Sequence, residues 1–247
     1  MTRLMLALLV TATAGTADAG QTNVAVAANF TGAAKDIAEA FKAATGDEAV
    51  LSFGSTGQLY TQIAQGAPFD VFLAADNVRP DLAVTEGFAV EGTEFTYAIG
   101  QLALWSRDTA LVNGAETMKR GDFHKLAIAN PETAPYGAAA VQVMQALDVF
   151  EALFPKVVQG NNIAQTYQFV ETGNAELGFV AYSQIAASDE GSRWLVDPAL
   201  YDPIRQDAVL LQAGAGNAAA QAFLDFLKGP EAAAVIERYG YAIEKGD

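Results

Sequence analysis

The chain has 247 residues, 51% of them hydrophobic, so a sizeable buried core is within its reach. It contains no cysteine, which excludes a disulfide framework, a thiolate metal site and a cysteine nucleophile. Its formal charge of −15 excludes a surface suited to nucleic acid or anionic lipid and would repel an anionic ligand at long range.

At the start, Arg3 precedes the apolar run Leu4 to Val10, and Ala17-Asp18-Ala19 supplies the small residues of a cleavage site. The run is too short to span about 30 Å of hydrocarbon. A secretory signal is therefore expected over residues 1–19, cleaved after Ala19, with export into a periplasm-like space. With no cysteine after it, a lipid anchor is excluded.

The stretch "VAVAANFTGAAKDIAEAF", Val24 to Phe41, opens as a strand and turns at Ala28-Asn29 into a helix. Ala34, Ile37, Ala38 and Phe41 recur at three- and four-residue steps there, and Gly46 closes the segment. The plan repeats with the strand "AVLSF", the corner "GSTG", and a helix marked by Leu59 and Ile63 that stops at Gly66. A third strand, "DVFLAAD", ends at Asp76, which is expected to cap the helix of "NVRPDLA". "FTYAIGQLALWS", Phe95 to Ser106, is long for a strand and carries Gly100 near its middle, which suits a chain passing between two lobes.

A second set of units follows. "KLAIA" leads through "NPETAPYG" to the helix "AAAVQVMQAL", "KVVQ" leads through "GNN" to "IAQTYQFVETG", and "LGFVA" leads into "YSQIAA". The chain returns with "DAVLLQAG" and closes on two helices separated by Gly229-Pro230. Strand–helix alternation of this kind predicts an α/β architecture with largely parallel sheets.

Catalytic inventory is thin. His124 is the lone histidine and sits in the polar stretch "KRGDFHKL", where a solvated role is expected; clusters of metal ligands are absent, so no metal is expected. Neither a dinucleotide fingerprint nor a P-loop occurs. What remains is a set of strand-to-helix corners with small neutral groups: Ala28-Asn29, Ser55-Thr56, Tyr136-Gly137 and Asn162-Ile163. Ligands of α/β sheets gather at the carboxyl ends of strands. Each corner exposes unpaired N–H groups at the positive end of a helix dipole, so several together can hold an anion without lysine or arginine. Taken singly, Asn29, Ser55 or Thr56 read as plain helix caps; their recurrence in two halves of the chain is what points to a ligand.

The strings "VAVAANFTGAAKDIAEAF", "SFGSTGQLYTQIAQGAPFDVFLAAD", "ANPETAPYGAAA", "LGFVAYSQ" and "FLDFLKGPEAAAVIERYGY" resemble the periplasmic molybdate-binding proteins of ABC importers, the ModA family, nearly continuously from Asn23 to Ile243. The resemblance implies a type II periplasmic binding protein, two α/β lobes with a ligand cleft between them. Lobe 1 would comprise residues 20–101 and 206–247, and lobe 2 residues 102–205. It implies capture of molybdate, and also tungstate, for delivery to a membrane permease, with no reaction catalysed, no cofactor, no direct metal–protein bond and a monomeric chain. The ligand residues it implies are Ala28, Asn29, Ser55, Thr56, Tyr136 and Ile163, donating through main-chain N–H and neutral side chains. Many members carry a tyrosine where this chain has Ala181; Tyr182 is one residue late, and a one-residue shift along a strand turns a side chain to the other face. The alternatives are another tetrahedral oxyanion, such as sulfate, or a secreted hydrolase using Ser55 or Ser183 with a lysine or His124, which lacks any base close in sequence to either serine.

Overall fold

The computed structural model describes residues 19–243. The expected signal lies outside the described residues except for Ala19, as do residues 244–247. Strand β1 (Gln21–Ala27) runs through a 3-10 turn (Ala28–Phe30) into α1 (Thr31–Thr45), β2 (Glu48–Gly54) into α2 (Thr56–Ala64), and β3 (Val71–Leu73) into α3 (Val78–Thr85), with β4 (Phe95–Gly100) following. Beyond Gln101 come β5 (Leu102–Ser106), α4 (Ala115–Arg120), β6 (Leu126–Ala129), α5 (Pro135–Ala146) and α6 (Phe150–Leu153). Then follow β7 (Val157–Gly160), α7 (Ile163–Glu171), β8 (Leu177–Ala181), a 3-10 turn (Tyr182–Gln184) and β9 (Ser192–Leu195). The chain returns through β10 (Ile204–Leu210) and ends on α8 (Ala218–Leu227) and α9 (Pro230–Arg238).

These strands form two sheets of the same plan, ordered β2-β1-β3-β10-β4 and β7-β6-β8-β5-β9. The sheets are mixed, which corrects the expectation of largely parallel ones. β1 pairs parallel with β2 and β3, but β10 is antiparallel to both β3 and β4. In the second sheet β6 is parallel to β7 and β8, while β5 is antiparallel to β8 and β9. The reason lies in the connections. A strand–helix–strand crossover enforces parallel neighbours, whereas β5 and β10 arrive from the other sheet and carry no such constraint. The "FTYAIGQLALWS" stretch is accordingly two strands in two sheets, parted at Gln101, and the return crossing lies between Leu195 and Ile204.

Apolar clusters pack against each of the two sheets. In the first, α1 turns Ala33, Ala34, Ile37 and Phe41 inward, and Phe41 meets Phe223 of α8 edge to face at 5.3 Å. Gly46 ends α1 in the left-handed region at φ +84°, where a β-carbon would be strained. In the second, Leu104, Met118, Leu126, Val143, Met144 and Phe179 are fully buried. Each such side chain contributes about 1.5–3 kcal/mol by leaving water.

Register then places the loops. Ala27 stands opposite Gly54 in the β1–β2 pair, so the two strands end level and Ala28 and Ser55 emerge side by side. Ala129 stands opposite Gly160 in β6–β7, which aligns the loops leading to Pro135 and Asn162 in the same way. Helix α5 settles close upon the end of β6 because Gly137 has no side chain; a β-carbon there would lie 2.2 Å from the carbonyl oxygen of Ala129. Gly137→Ala should therefore destabilise the protein by about 1–3 kcal/mol, the range for overpacking a filled interior. Urea unfolding should show a lowered midpoint at constant slope, and an unchanged midpoint would mean that α5 can shift without cost.

Candidate functional site

All four corners meet at one cavity. Its walls include Ala28 and Asn29 after β1, Ser55 and Thr56 after β2, Tyr136 at the start of α5 and Ile163 at the start of α7. The first two corners belong to one sheet and the last two to the other, so the cavity lies between the lobes. Its free volume is about 10 Å³, far below the roughly 300–1,000 Å³ of pockets for drug-sized ligands. Every one of the six residues is buried, and none of the lining residues is charged.

Each corner has a local reason to form. Ser55 takes an extended conformation at the N-cap of α2, Ala134 does so before α5 with Pro135 in its first turn, and Asn162 does so before α7. The first N–H groups of a helix have no partner within it, and these helices point them at the cavity. Asn162 is a true cap, its Oδ1 accepting the N–H of Gln165 at 2.9 Å. Asp76 caps as expected, accepting the N–H of Arg79 at 2.9 Å.

Side-chain hydrogen bonding distinguishes the candidates. The Ser55 hydroxyl is buried and has no hydrogen-bond partner. Thr56 Oγ1 accepts the N–H of Ala75 at 3.0 Å, which leaves its own proton available. Asn29 differs: its Nδ2 donates to Gln206 Oε1 at 2.7 Å and to the Tyr241 hydroxyl at 3.1 Å, which engages both amide hydrogens inside the protein. The group this corner can offer is the main-chain N–H. Tyr136 reaches with its hydroxyl to Gly100 at the lobe crossing, 2.2 Å from where a β-carbon would stand, and that hydroxyl is buried without a partner. Burial first, and the neighbouring tyrosines with it, push its pKa well above the ordinary phenol range, so it remains a neutral O–H group.

Tyr182 does not line the cavity. Its ring packs on Gly240, and its N–H donates to the carbonyl of Gln101 at 2.9 Å. The next residue reaches the first corner from behind: Ser183 Oγ donates to the carbonyl of Asn29 at 3.0 Å. Gln206, Tyr241 and Ser183, which surround Asn29, were not expected as parts of this site. The one signal for Gln206 is a polar side chain at an inward position of a strand, where it is wholly buried. Neither serine has a base. Ser55 Oγ has no partner, Ser183 bonds only to Asn29 and Tyr241, and His124 is exposed. Among the described residues there is no group of three or more side chains suited to a metal ion.

Two hydrogen bonds join α2 and α3 to the loop before α5, beside the cavity. The N–H of Gly57 in α2 donates to the carbonyl of Thr133 at 2.9 Å, and Arg79 Nη2 donates to the carbonyl of Glu132, also at 2.9 Å. A β-carbon on Gly57 would already lie 3.0 Å from the Thr133 Cα. The Gly57→Val variant should thus hold the lobes apart, seen as a larger radius of gyration in small-angle scattering with the fold intact by circular dichroism. A scattering profile identical to that of the parent chain would mean that closure does not pass through this contact.

A family model described as bacterial extracellular solute-binding protein matches residues 22–242. The molybdate-binding protein ModA of Rhodobacter capsulatus is 55% identical over 228 residues, covering 92% of this chain and 90% of the relative. ModA of Azotobacter vinelandii is 52% identical over 248 residues, covering 99% and 98%. Among solved structures, a periplasmic molybdate-binding protein from Azotobacter vinelandii superposes with a TM-score of 0.88 at 39% identity, covering 91% of this chain and all of that one.

Proposed function

We infer the function from the family to which the chain belongs, that of the ModA molybdate-binding proteins within the bacterial extracellular solute-binding proteins. Its two α/β lobes are those of a type II periplasmic binding protein, and its matched relatives are binding proteins, not enzymes. We propose that this chain captures molybdate, and tungstate with it, in the cavity between the lobes. It would then deliver the ion to the membrane permease of an ABC importer, acting as an exported periplasmic monomer.

One observation carries the reading: a small cavity with no charged wall, lined by residues at helix N-termini and holding a buried Ser55 hydroxyl without a partner. A cavity of this kind is incomplete until acceptor oxygens fill it. The proposed donors are the N–H groups of Ala28, Asn29, Tyr136 and Ile163 together with the Ser55-Thr56 corner and its two hydroxyls. Hydrogen bonds to a charged group contribute about 1.5–3 kcal/mol each. Six or seven of them supply the roughly 12 kcal/mol that nanomolar binding needs, with a remainder for closing the lobes. Fixed neutral donors also discriminate, because a protonated ligand oxygen would set its hydrogen against theirs and an ion of the wrong size would miss some of them.

Calorimetric titration with molybdate, tungstate and sulfate tests the assignment. Molybdate and tungstate should bind far more tightly than sulfate, and tighter sulfate binding would reassign the protein to a different oxyanion. Ser55→Ala should weaken molybdate binding by about 1.5–3 kcal/mol, roughly ten- to a hundredfold. Tyr182→Phe should change it by less than about 0.5 kcal/mol, as expected for a side chain outside the cavity. Equal losses at the two positions would place Tyr182 in the ligand shell.

A further inference from the structure

The short turn Tyr182–Gln184 makes no contact with the cavity through its tyrosine, yet it touches the donor corners of both lobes. Ser183 Oγ donates to the carbonyl of Asn29 at 3.0 Å. The next side chain, Gln184, donates through Nε2 to the carbonyl of Ile163 at 3.1 Å, while its Oε1 accepts the N–H of Ala181 at 3.0 Å. Asn29 and Ile163 stand on opposite sides of the cavity, one in each lobe. In a helical turn the N–H groups point opposite to the carbonyls, so a carbonyl held from behind aims its turn's N–H groups forward, here into the cavity.

The turn itself is fixed at both ends. Tyr182 donates its N–H to Gln101 at the lobe crossing and packs on Gly240, whose positive φ of +79° and missing side chain admit the ring. Tyr241 extends the same arrangement, its hydroxyl lying 2.7 Å from the Asn29 carbonyl and 2.9 Å from Ser183 Oγ. We propose that Ser183 and Gln184 are positioning residues for the bound oxyanion: side by side on one turn, they set the spacing of the Asn29 and Ile163 corners across the cavity. Neither touches the ion. The role rests on the oxyanion-binding function proposed above and adds to it the part that determines how well the donor set fits one ion size.

The test uses the full chain and three variants, Ser183→Ala, Gln184→Met and the double variant, titrated with molybdate and with sulfate. Each single variant should lose about tenfold in molybdate affinity, the scale of one hydrogen bond. The molybdate-to-sulfate ratio should fall in parallel, because spacing is what distinguishes the two ions. Since breaking either contact leaves the spacing unset, the double variant should be no weaker than the weaker single variant by more than about twofold. Ser183→Thr, which keeps the hydroxyl, should restore binding. Melting of the ligand-free protein should barely move in any of them.

Unchanged affinity in both single variants would overturn the proposal, as would losses that multiply in the double variant or a fall in melting temperature with affinity and ion ratio preserved. Parent protein that takes up none of the anions would overturn the oxyanion function and this role together. Parent protein that binds, with variants that bind as well and as selectively, would overturn the positioning role alone.

Discussion

A small ion drawn out of water must find a hydrogen-bond donor for each of its oxygens, and buried donors cost free energy whenever those oxygens are missing. On the proposed function, that constraint accounts for most of what is unusual in this molecule. Helix ends are the cheapest source of unpaired donors in a folded chain, since their first N–H groups lack partners in any case. Four such ends are brought to one point by two sheets of the same strand plan, each with a pair of level parallel strands. The mixed pairing is part of the same design. β5 and β10 are reached by the crossings between the lobes, at Gln101 and after Leu195.

On the proposed function, the groups around the cavity divide into those that would face the ion and those that hold these in place. Ser55 and Thr56 keep hydroxyl protons available. Asn29 is gripped through its carbonyl and its carboxamide by Ser183, Tyr241 and Gln206. Tyr136, wholly buried with a hydroxyl above Gly100, ties the start of α5 to the crossing strand. The acidic surface slows the approach of an anion, but a Debye length of about 8 Å at physiological salt confines that effect to the encounter. Beside the cavity Arg79 is neutralised by its ion pair with Asp76 and bridges to the Glu132 carbonyl.

Several features were plain in the amino-acid order because they depend on near neighbours. The helical spacing of Ile37 and Phe41, the stop at Gly46, Asp76 as a cap and the break near Gly100 are all local properties. β9 and α4 were not legible. Ser192–Leu195 and Ala115–Arg120 are short and carry no clear apolar period, and they owe their form to the elements beside them, β5 for the former. The direction of β5 and β10 was missed for a related reason: a strand's own residues encode its faces, not the route by which the chain arrived.

Sequence alone determined the residue types at the four corners, their place between strand and helix, and the absence of any cation, cysteine or histidine among them. That much follows from local propensity and from the chemistry of small neutral side chains. Only the tertiary structure decided which of their groups are free. Asn29 reads in the sequence as an available amide, but its hydrogens are taken by Gln206, 177 residues further on, and by Tyr241 near the far end of the chain. Ser55 reads as a helix cap, yet its oxygen accepts no bond from its own helix and lies open to the cavity. A hydrogen bond needs its partner within about 3.2 Å and in line, and for segments so distant along the chain that proximity exists only once the two sheets have folded and met.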